Sequence, residues 1–311
     1  MRICVFGAGA VGGHLAARLA ASGQEVSVVA RGAHLEAMRA NGVKLIHGDE
    51  IIQGKVNTGR IGTQDAVLVT LKANLLSVFA DAAAPLLGPD TLVVFAQNGI
   101  PWWYRPRPDE KLQAIVPARN LAGGVVYSAN EVVEPGVIRN FVPNNNMLVI
   151  GSPDRRDSQR LRDLRAALEK SGMSSPAPED IRQSVWAKLV QNIGNSSLCL
   201  LAESPVSDVL GDAGLRELNR RAKAEAAAIA QALGVDIARA PQRPSGGHVS
   251  GALGHKPSML QDYERGRPME IEALLIAPHA MARAAGVSTP TLDALIPLAA
   301  HKAAAKGLYK P

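Results

Sequence analysis

Cysteine is scarce in this chain: two residues, Cys4 and Cys199, stand far apart in apolar runs. That excludes a disulfide framework and a thiol-based metal site, and it makes a reducing, cytoplasmic compartment the expectation. The seven histidines are dispersed with no HExxH pair, so no protein-bound metal is expected. Aromatic residues make up only 4%, and the Lys and Arg that give a net charge of +6 are scattered rather than striped. Both features argue against nucleic acid as a partner. A phosphate-bearing small ligand accounts for the positive balance as well. No apolar run approaches ~20 residues, so no membrane span or membrane partner is expected. The first apolar run, Ile3 to Phe6, is cut short by Gly7 and Gly9 and lacks the length of a signal peptide's hydrophobic region. Internal repeats and low-complexity tracts are missing too, and nothing argues for disorder.

What is present is an ordinary globular composition, 47% hydrophobic and 20% charged over 311 residues. That length suits about two domains. Met1–Phe6, Glu25–Val29, Ala66–Leu71, Leu92–Ala96, Leu112–Val116, Gly124–Tyr127, Gly136–Phe141 and Met147–Ile150 read as strands. Ala10–Ala21, Ala33–Ala40 and Leu75–Leu87 read as helices between the early ones. Alternating strands and helices predict a parallel sheet covered on both faces, with an antiparallel or mixed end where the later strands lack helices. The pattern then changes. Gln159–Lys170 reads as a charged amphipathic helix and Ser171–Asp180 as a Ser/Pro-rich linker. From Ile181 onward only helices are expected: Ile181–Leu201, Gly214–Leu233, Ser258–Arg265, Met269–Ala285 and Thr291–Ala305. Pro278 must kink or divide its helix. A boundary near residue 178 separates a domain of residues 1–178 from one of 179–311.

The strongest motif is Gly7-Ala8-Gly9-Ala10-Val11-Gly12, followed by Gly13. It follows a strand and opens a helix inside a βαβ unit, the setting of a dinucleotide site. Gly7 permits the tight turn, Gly9 the approach of a pyrophosphate, and Gly12 close packing of helix on strand. The helix N-terminus offers free N–H groups to the phosphates. At the end of the second strand, where a carboxylate would bond the ribose 2′-OH of NAD, stands Arg31. A guanidinium there suits a 2′-phosphate, so NADPH/NADP+ is the expected cofactor. Lys72 and Asn98-Gly99 follow two further strands and belong to the same rim of carboxyl ends.

In the helix from Ile181, Ile181, Val185, Leu189 and Ile193 form an apolar face. Ser184, Lys188, Asn192, Asn195 and Ser196 form a polar stripe, either a solvated face or the wall of a cleft. Ser258 with Gln261 fits a capping box, and Glu270 falls in a first helical turn after Pro268. Ile100-Pro101-Trp102-Trp103-Tyr104 is an aromatic cluster in an aromatic-poor chain. It covers the cofactor, reshapes a substrate pocket, or is buried packing.

These pieces together resemble the ketopantoate reductase (2-dehydropantoate 2-reductase) family. The match comprises the Gly7–Gly12 turn, Arg31, Thr70-Leu71-Lys72-Ala73, Gln97-Asn98-Gly99, Trp186-Ala187-Lys188-Leu189 with Asn192, Ser258-Met259-Leu260-Gln261-Asp262 and Glu270-Ile271-Glu272. They occur in the family's order across nearly the whole chain. The resemblance implies an α/β Rossmann domain followed by an all-α domain like that of 6-phosphogluconate dehydrogenase, with the active site in the cleft between them. It implies Lys188 as general acid and Glu270 as its functional partner, with Glu270 also at the cofactor. Asn98, Asn192, Ser196 and Ser258 would hold a 2-keto acid substrate. Lys72 and Asn98 would sit near the cofactor.

The chemistry fits. A ketone needs a hydride on carbon and a proton on oxygen, and an ammonium can polarise the carbonyl and then supply that proton. The expected activity is reduction of 2-dehydropantoate to pantoate, as in pantothenate biosynthesis. The alternatives are a related reductase or dehydrogenase acting on another 2-keto or 2-hydroxy acid, and a non-catalytic NADP(H)-binding sensor. The chain departs from the family in having no Asn in the run Glu270–Pro278, and Ser196 where a second amide commonly follows Asn192. Oligomeric state is open, with a homodimer among the options.

Overall fold

The computed structural model describes residues 1–143, 145–243, 254 and 256–310. The chain divides into two compact units. The first holds Met1–Gln97, Arg107–Ile181 and a short run from Pro241; the second holds Asn98–Pro106, Arg182–Ala240 and the C-terminal helices.

The first unit opens with β1 (Arg2–Phe6), α1 (Ala10–Ala21), β2 (Glu25–Val29), α2 (Gly32–Asn41) and the hairpin β3 (Val43–His47) and β4 (Glu50–Gly54). Next come β5 (Ala66–Val69), α3 (Leu76–Ala82), β6 (Leu92–Phe95), α4 (Glu110–Ile115) and β7 (Leu121–Tyr127). The unit ends with β8 (Asn130–Glu134), β9 (Val137–Asn140), β10 (Met147–Gly151) and α5 (Gln159–Lys170). The main sheet has the order β10-β7-β6-β5-β1-β2, parallel except for β10, which runs antiparallel to β7. β5 and β6 are buried at every position because both faces are covered. On one face Ile3, Val5, Leu68 and Val94 pack with Leu15 and Leu19 of α1 and with Leu161, Leu164 and Leu168 of α5. Phe6 and Phe95 point the other way, each meeting Phe79 of α3 edge to face at 5.1 and 5.6 Å. Cys4 and Cys199 are free and buried, and burial pushes each thiol up to about 12, which leaves both inert.

A second sheet, β4-β3-β9-β8, is the main surprise of this unit. β3 pairs in parallel with β9, some ninety positions further on, so no local pattern announces it. α1 lies against it, which explains that helix's small residues. A Cβ on Gly13 would stand 2.4 Å from Ile138 Cδ1, and one on Gly54 2.6 Å from Ala20 Cβ. The expected strand Leu112–Val116 is instead the end of α4. Asp109 caps it, accepting from Leu112 N at 3.0 Å, and a five-residue apolar run cannot by itself separate strand from helix. The helix expected over Leu75–Leu87 breaks into α3 flanked by 3₁₀ turns.

Between α1 and the second sheet lies a buried polar cluster. Arg18 Nε donates to His14 Nε2 at 2.8 Å, and its Nη1 donates to Ser171 O at 3.0 Å. Its Nη2 lies against the His47 ring. His14 is fully buried, and desolvation, then the Arg18 charge and His47, push its pKa down to about 3. His47 is lowered as well, chiefly by burial. Because the folded-state values lie below that of free imidazole, the unfolded chain binds protons first as pH falls. This contribution is complete above about pH 6.5 and is lost towards pH 3, at up to ~1.4 kcal/mol per pH unit and proton. The melting temperature is therefore expected to fall between pH 7 and pH 5 with a shallower slope in His14→Gln, as scanning calorimetry will show. Equal slopes would clear His14.

The second unit contains α6 (Ile181–Ala202, whose first residue closes the first unit), α7 (Val206–Gly211), α8 (Ala213–Ala232), α9 (Ser258–Glu264), α10 (Ala277–Ala284) and α11 (Pro290–Ala305). No strand occurs in it among the described residues. The short α7 escapes the sequence reading. The Glu225 carboxylate of α8 accepts from Thr291 N and Leu292 N, both at 2.9 Å, and so caps α11 from outside. Pro278 divides its helix as expected: a π-helical turn, Glu272–Ile276, precedes α10. No helix among the described residues is long and apolar enough to cross a membrane.

Candidate active site

In the first unit β5, β1 and β2 lie side by side, and Phe6 pairs with both Val69 and Val29. The carboxyl ends of these strands therefore finish level. Gly7, Arg31 and Lys72 come one to three residues later on the same rim. Gly7 has φ +102°, and its N–H donates to Val29 O at 3.0 Å. Thr70 Oγ1 donates to Gly7 O at 2.6 Å. A Cβ on Gly12 would lie 2.2 Å from Gly7 O and 2.5 Å from Thr70 Oγ1, so α1 can approach the strands only with glycine there. Gly9 differs: it is exposed, and a Cβ on it meets nothing within 4 Å. The start of α1, which Ala10, Val11 and Gly12 form, has no side-chain cap and no acidic residue in its first turn. The turn thus presents open space beside uncapped helix N–H groups, a cradle that fits a pyrophosphate.

Arg31 is exposed at the N-cap of α2, and Lys72 is half-buried at the head of a 3₁₀ turn. Three supporting residues went unassigned in the sequence reading. His34 Nε2 lies 2.5 Å from Ala8 O, and its Nδ1 accepts from Gly136 N at 2.9 Å. The imidazole thus holds the glycine turn from α2. Gln97 Nε2 donates to Val69 O and Leu71 O at 2.8 and 3.0 Å, tying β6 to the end of β5. Thr70 is the third. Thr70 and Gln97 lie in segments that match the family, Thr70 as a hydroxyl closing an apolar strand, whereas His34 carries no sequence signal.

The second unit collects the other candidates. Lys188 Nζ donates to Asn98 Oδ1 at 2.7 Å, joining two residues from distant parts of the chain. The stripe that carries Lys188 is not a solvated face. Ser184 and Ser196 are buried, while Lys188, Asn192 and Asn195 are half-buried. Asn195 Oδ1 accepts from Asn219 Nδ2 of α8 at 2.9 Å. Val185, Leu189 and Ile193 are buried on the apolar face, as their spacing requires. Glu270 is buried at the residue before the helical run 271–284 begins, rather than in its first turn, and its carbonyl accepts from Leu274 N at 3.1 Å. Ser258 is the exposed first residue of α9. It does not form the expected capping box: Pro257 holds the N-cap position, and Gln261 Nε2 turns back to Lys256 O at 2.9 Å.

The aromatic cluster packs into this unit. Ile100 is fully buried and Trp102 nearly so. Trp186 Nε1 of α6 donates to Tyr104 OH at 3.2 Å. Trp103 tilts against Tyr104 at 5.8 Å between ring centroids. Of the three readings of this run, buried packing accounts for Ile100 and Trp102. No group of His, Cys, Asp and Glu among the described residues could hold a metal ion.

Comparison with known proteins agrees over the whole length. The family model described as "Ketopantoate reductase PanE/ApbA" matches residues 3–154, and "Ketopantoate reductase PanE/ApbA C terminal" matches residues 180–303. A 2-dehydropantoate 2-reductase of Mesorhizobium japonicum is 40% identical, covering 99% of this chain and 100% of that one. The solved 2-dehydropantoate 2-reductase of Geobacter metallireducens superposes with a TM-score of 0.83 at 29% identity, covering 96% of this chain and 99% of that one. D-mandelate dehydrogenase, solved with NADH and anilino(oxo)acetate, shares the fold: TM-score 0.83, 21% identity, covering 99% of this chain and 100% of that one.

Proposed function

The chain belongs to the ketopantoate reductase family, oxidoreductases that act on CH–OH groups, and from that premise we propose that it reduces 2-dehydropantoate to pantoate with NADPH. The observation that carries the reading is the bond from Lys188 Nζ to Asn98 Oδ1 at 2.7 Å. The amide oxygen orients the ammonium without itself neutralising the charge, and an ammonium so oriented can donate to a keto oxygen. As hydride reaches C2 the oxygen becomes anionic. Lys188 stabilises that charge and passes its proton to the oxygen, leaving a secondary alcohol. The dihydronicotinamide, when bound, supplies the hydride.

Asn98, Asn192, Ser196 and Ser258 provide amide and hydroxyl groups for the substrate. Glu270 is the partner carboxylate, near both Lys188's task and the cofactor. The Gly7–Gly12 turn takes the pyrophosphate, and Lys72 offers a cation to the cofactor or the substrate carboxylate. The product would feed pantothenate biosynthesis in the cytoplasm.

Arg31 reads the cofactor. Its guanidinium stands where an NAD-specific site would place a carboxylate, and it pairs with the 2′-phosphate. Replacing it by alanine removes an exposed, charge-assisted contact worth about a factor of ten in affinity. In steady-state assays with 2-dehydropantoate, Arg31→Ala is expected to raise the KM for NADPH by about tenfold and to leave that for NADH nearly unchanged. Equal losses for both cofactors would remove Arg31 from that role.

A further inference from the structure

The segment that carries Asn98 is docked on an irregular turn of the helical run 271–284. In a regular α-helix the Ala273 carbonyl would accept from the N–H of Ala277. Here Ala277 N–H instead reaches Glu272 O, the five-residue spacing of a π turn. In that register the partner of Ala273 O would be residue 278, which is proline and has no N–H. The Ala273 carbonyl is thus left without a partner inside its own helix. Ile100 N–H takes it, at 2.8 Å.

Gly99 makes the approach possible. It has φ +81°, and a Cβ on it would stand 2.3 Å from Ala273 O and 2.8 Å from Leu274 N. Both the backbone sign and the space admit glycine only. The preceding residue is Asn98, whose Oδ1 receives Lys188 Nζ at 2.7 Å. The following residues are anchored too, through buried Ile100 and the bond from Trp186 to Tyr104. The π turn itself begins two residues after Glu270.

We propose that Gly99 and Pro278 are positioning residues for the reduction. Pro278 creates the orphan carbonyl of Ala273, Gly99 lets the chain reach it, and the resulting dock fixes Asn98 where it holds the Lys188 ammonium. π turns recur at functional sites because they expose backbone groups that a regular helix would consume. Here the exposed group is spent on aiming a side chain. The inference rests on Lys188 acting as general acid.

The test uses four variants of the full chain: Gly99→Ala, Pro278→Ala, Asn98→Ala and the double variant Gly99→Ala/Asn98→Ala. Each is assayed with NADPH and 2-dehydropantoate for kcat and KM, and each is melted. Gly99→Ala is expected to lower kcat by more than about tenfold. Pro278→Ala restores a helix N–H and is expected to melt no lower than the wild type, yet to lose several-fold in kcat as Ala273 O returns to the helix. In the Asn98→Ala background, Gly99→Ala is expected to cost less than about twofold more, because its effect runs through Asn98. A Gly99→Ala chain with wild-type kcat would overturn the proposal. So would an undiminished Gly99→Ala effect in the Asn98→Ala background, which marks a purely structural glycine. If Lys188→Ala kept full turnover, the general-acid reading itself would fall. If Lys188→Ala were inactive while Gly99→Ala and Pro278→Ala were normal, only this inference would.

Discussion

Lys188→Ala is expected to bind NADPH as the wild type does and to turn over at least ~100-fold more slowly. The substitution removes the proposed proton donor and the positive charge together. A positioned general acid contributes about 10² to 10⁴ in rate, and the loss of charge stabilisation on the developing alkoxide adds to that. The cofactor arm of the prediction follows from the architecture. The Gly7–Gly12 turn and Arg31 stand in the first compact unit, whereas Lys188 stands in the second. The loss therefore belongs in kcat, with the NADPH dissociation constant within about twofold of wild type. Arginine is a poor replacement despite its charge, since its guanidinium hardly gives up a proton, so Lys188→Arg is expected to remain impaired. Fluorescence titration of NADPH with steady-state kinetics separates the two arms. Undiminished turnover in Lys188→Ala would assign the proton to another group.

The second large effect separates two glycines of one motif. Gly12→Ala places a methyl 2.2 Å from Gly7 O and 2.5 Å from Thr70 Oγ1. Neither neighbour can retreat easily: one is backbone, and the other is bonded to it at 2.6 Å. Helix propensity would favour alanine by up to about 1 kcal/mol, but overpacking of this kind costs about 1–3 kcal/mol or more. A net loss of about 2 kcal/mol, roughly 4–8 °C in melting temperature, is expected, with a deformed turn and weak dinucleotide binding. Gly9→Ala is expected to do the opposite in stability. It has open space around it and an unstrained φ of −67°, so melting should not change. Its methyl would instead occupy the face the pyrophosphate approaches, and NADPH affinity is expected to fall by more than about tenfold. Normal NADPH binding by Gly9→Ala would mean that the phosphates lie elsewhere.

The parts legible in the sequence are those that local pattern decides. The glycine turn, α1, the buried parallel strands and the apolar face of α6 follow from spacing alone. The second sheet does not. β3, β4 and β8 are partly exposed strands rich in polar residues, and β3 pairs with a strand far along the chain. α4 reads as a strand in sequence because its apolar run is short and its helical signal is the Asp109 cap in front of it. The capping-box pattern of Ser258 and Gln261 does not form, because Pro257 already holds the cap position.

At the candidate site, family resemblance supplies the residue types, but their arrangement is tertiary. No spacing rule joins Asn98 to Lys188, Tyr104 to Trp186 or Ile100 to Ala273. The aromatic run Trp102-Trp103-Tyr104 illustrates the limit. Its composition suggests a ligand cover, whereas its bonds tie it to α6. The polar stripe shows the reverse case, since its spacing suits a solvated face but Ser184 and Ser196 are buried.

The proposed reaction is reduction of the keto group of 2-dehydropantoate. The direct measurement is NADPH oxidation by the wild-type chain across a panel of 2-keto acids, branched, linear and aromatic, with kcat/KM for each. The highest value is expected for 2-dehydropantoate, with pantoate as product. A panel in which 2-dehydropantoate ranks among the poorest substrates, or in which bound NADPH is oxidised by none, would contradict it.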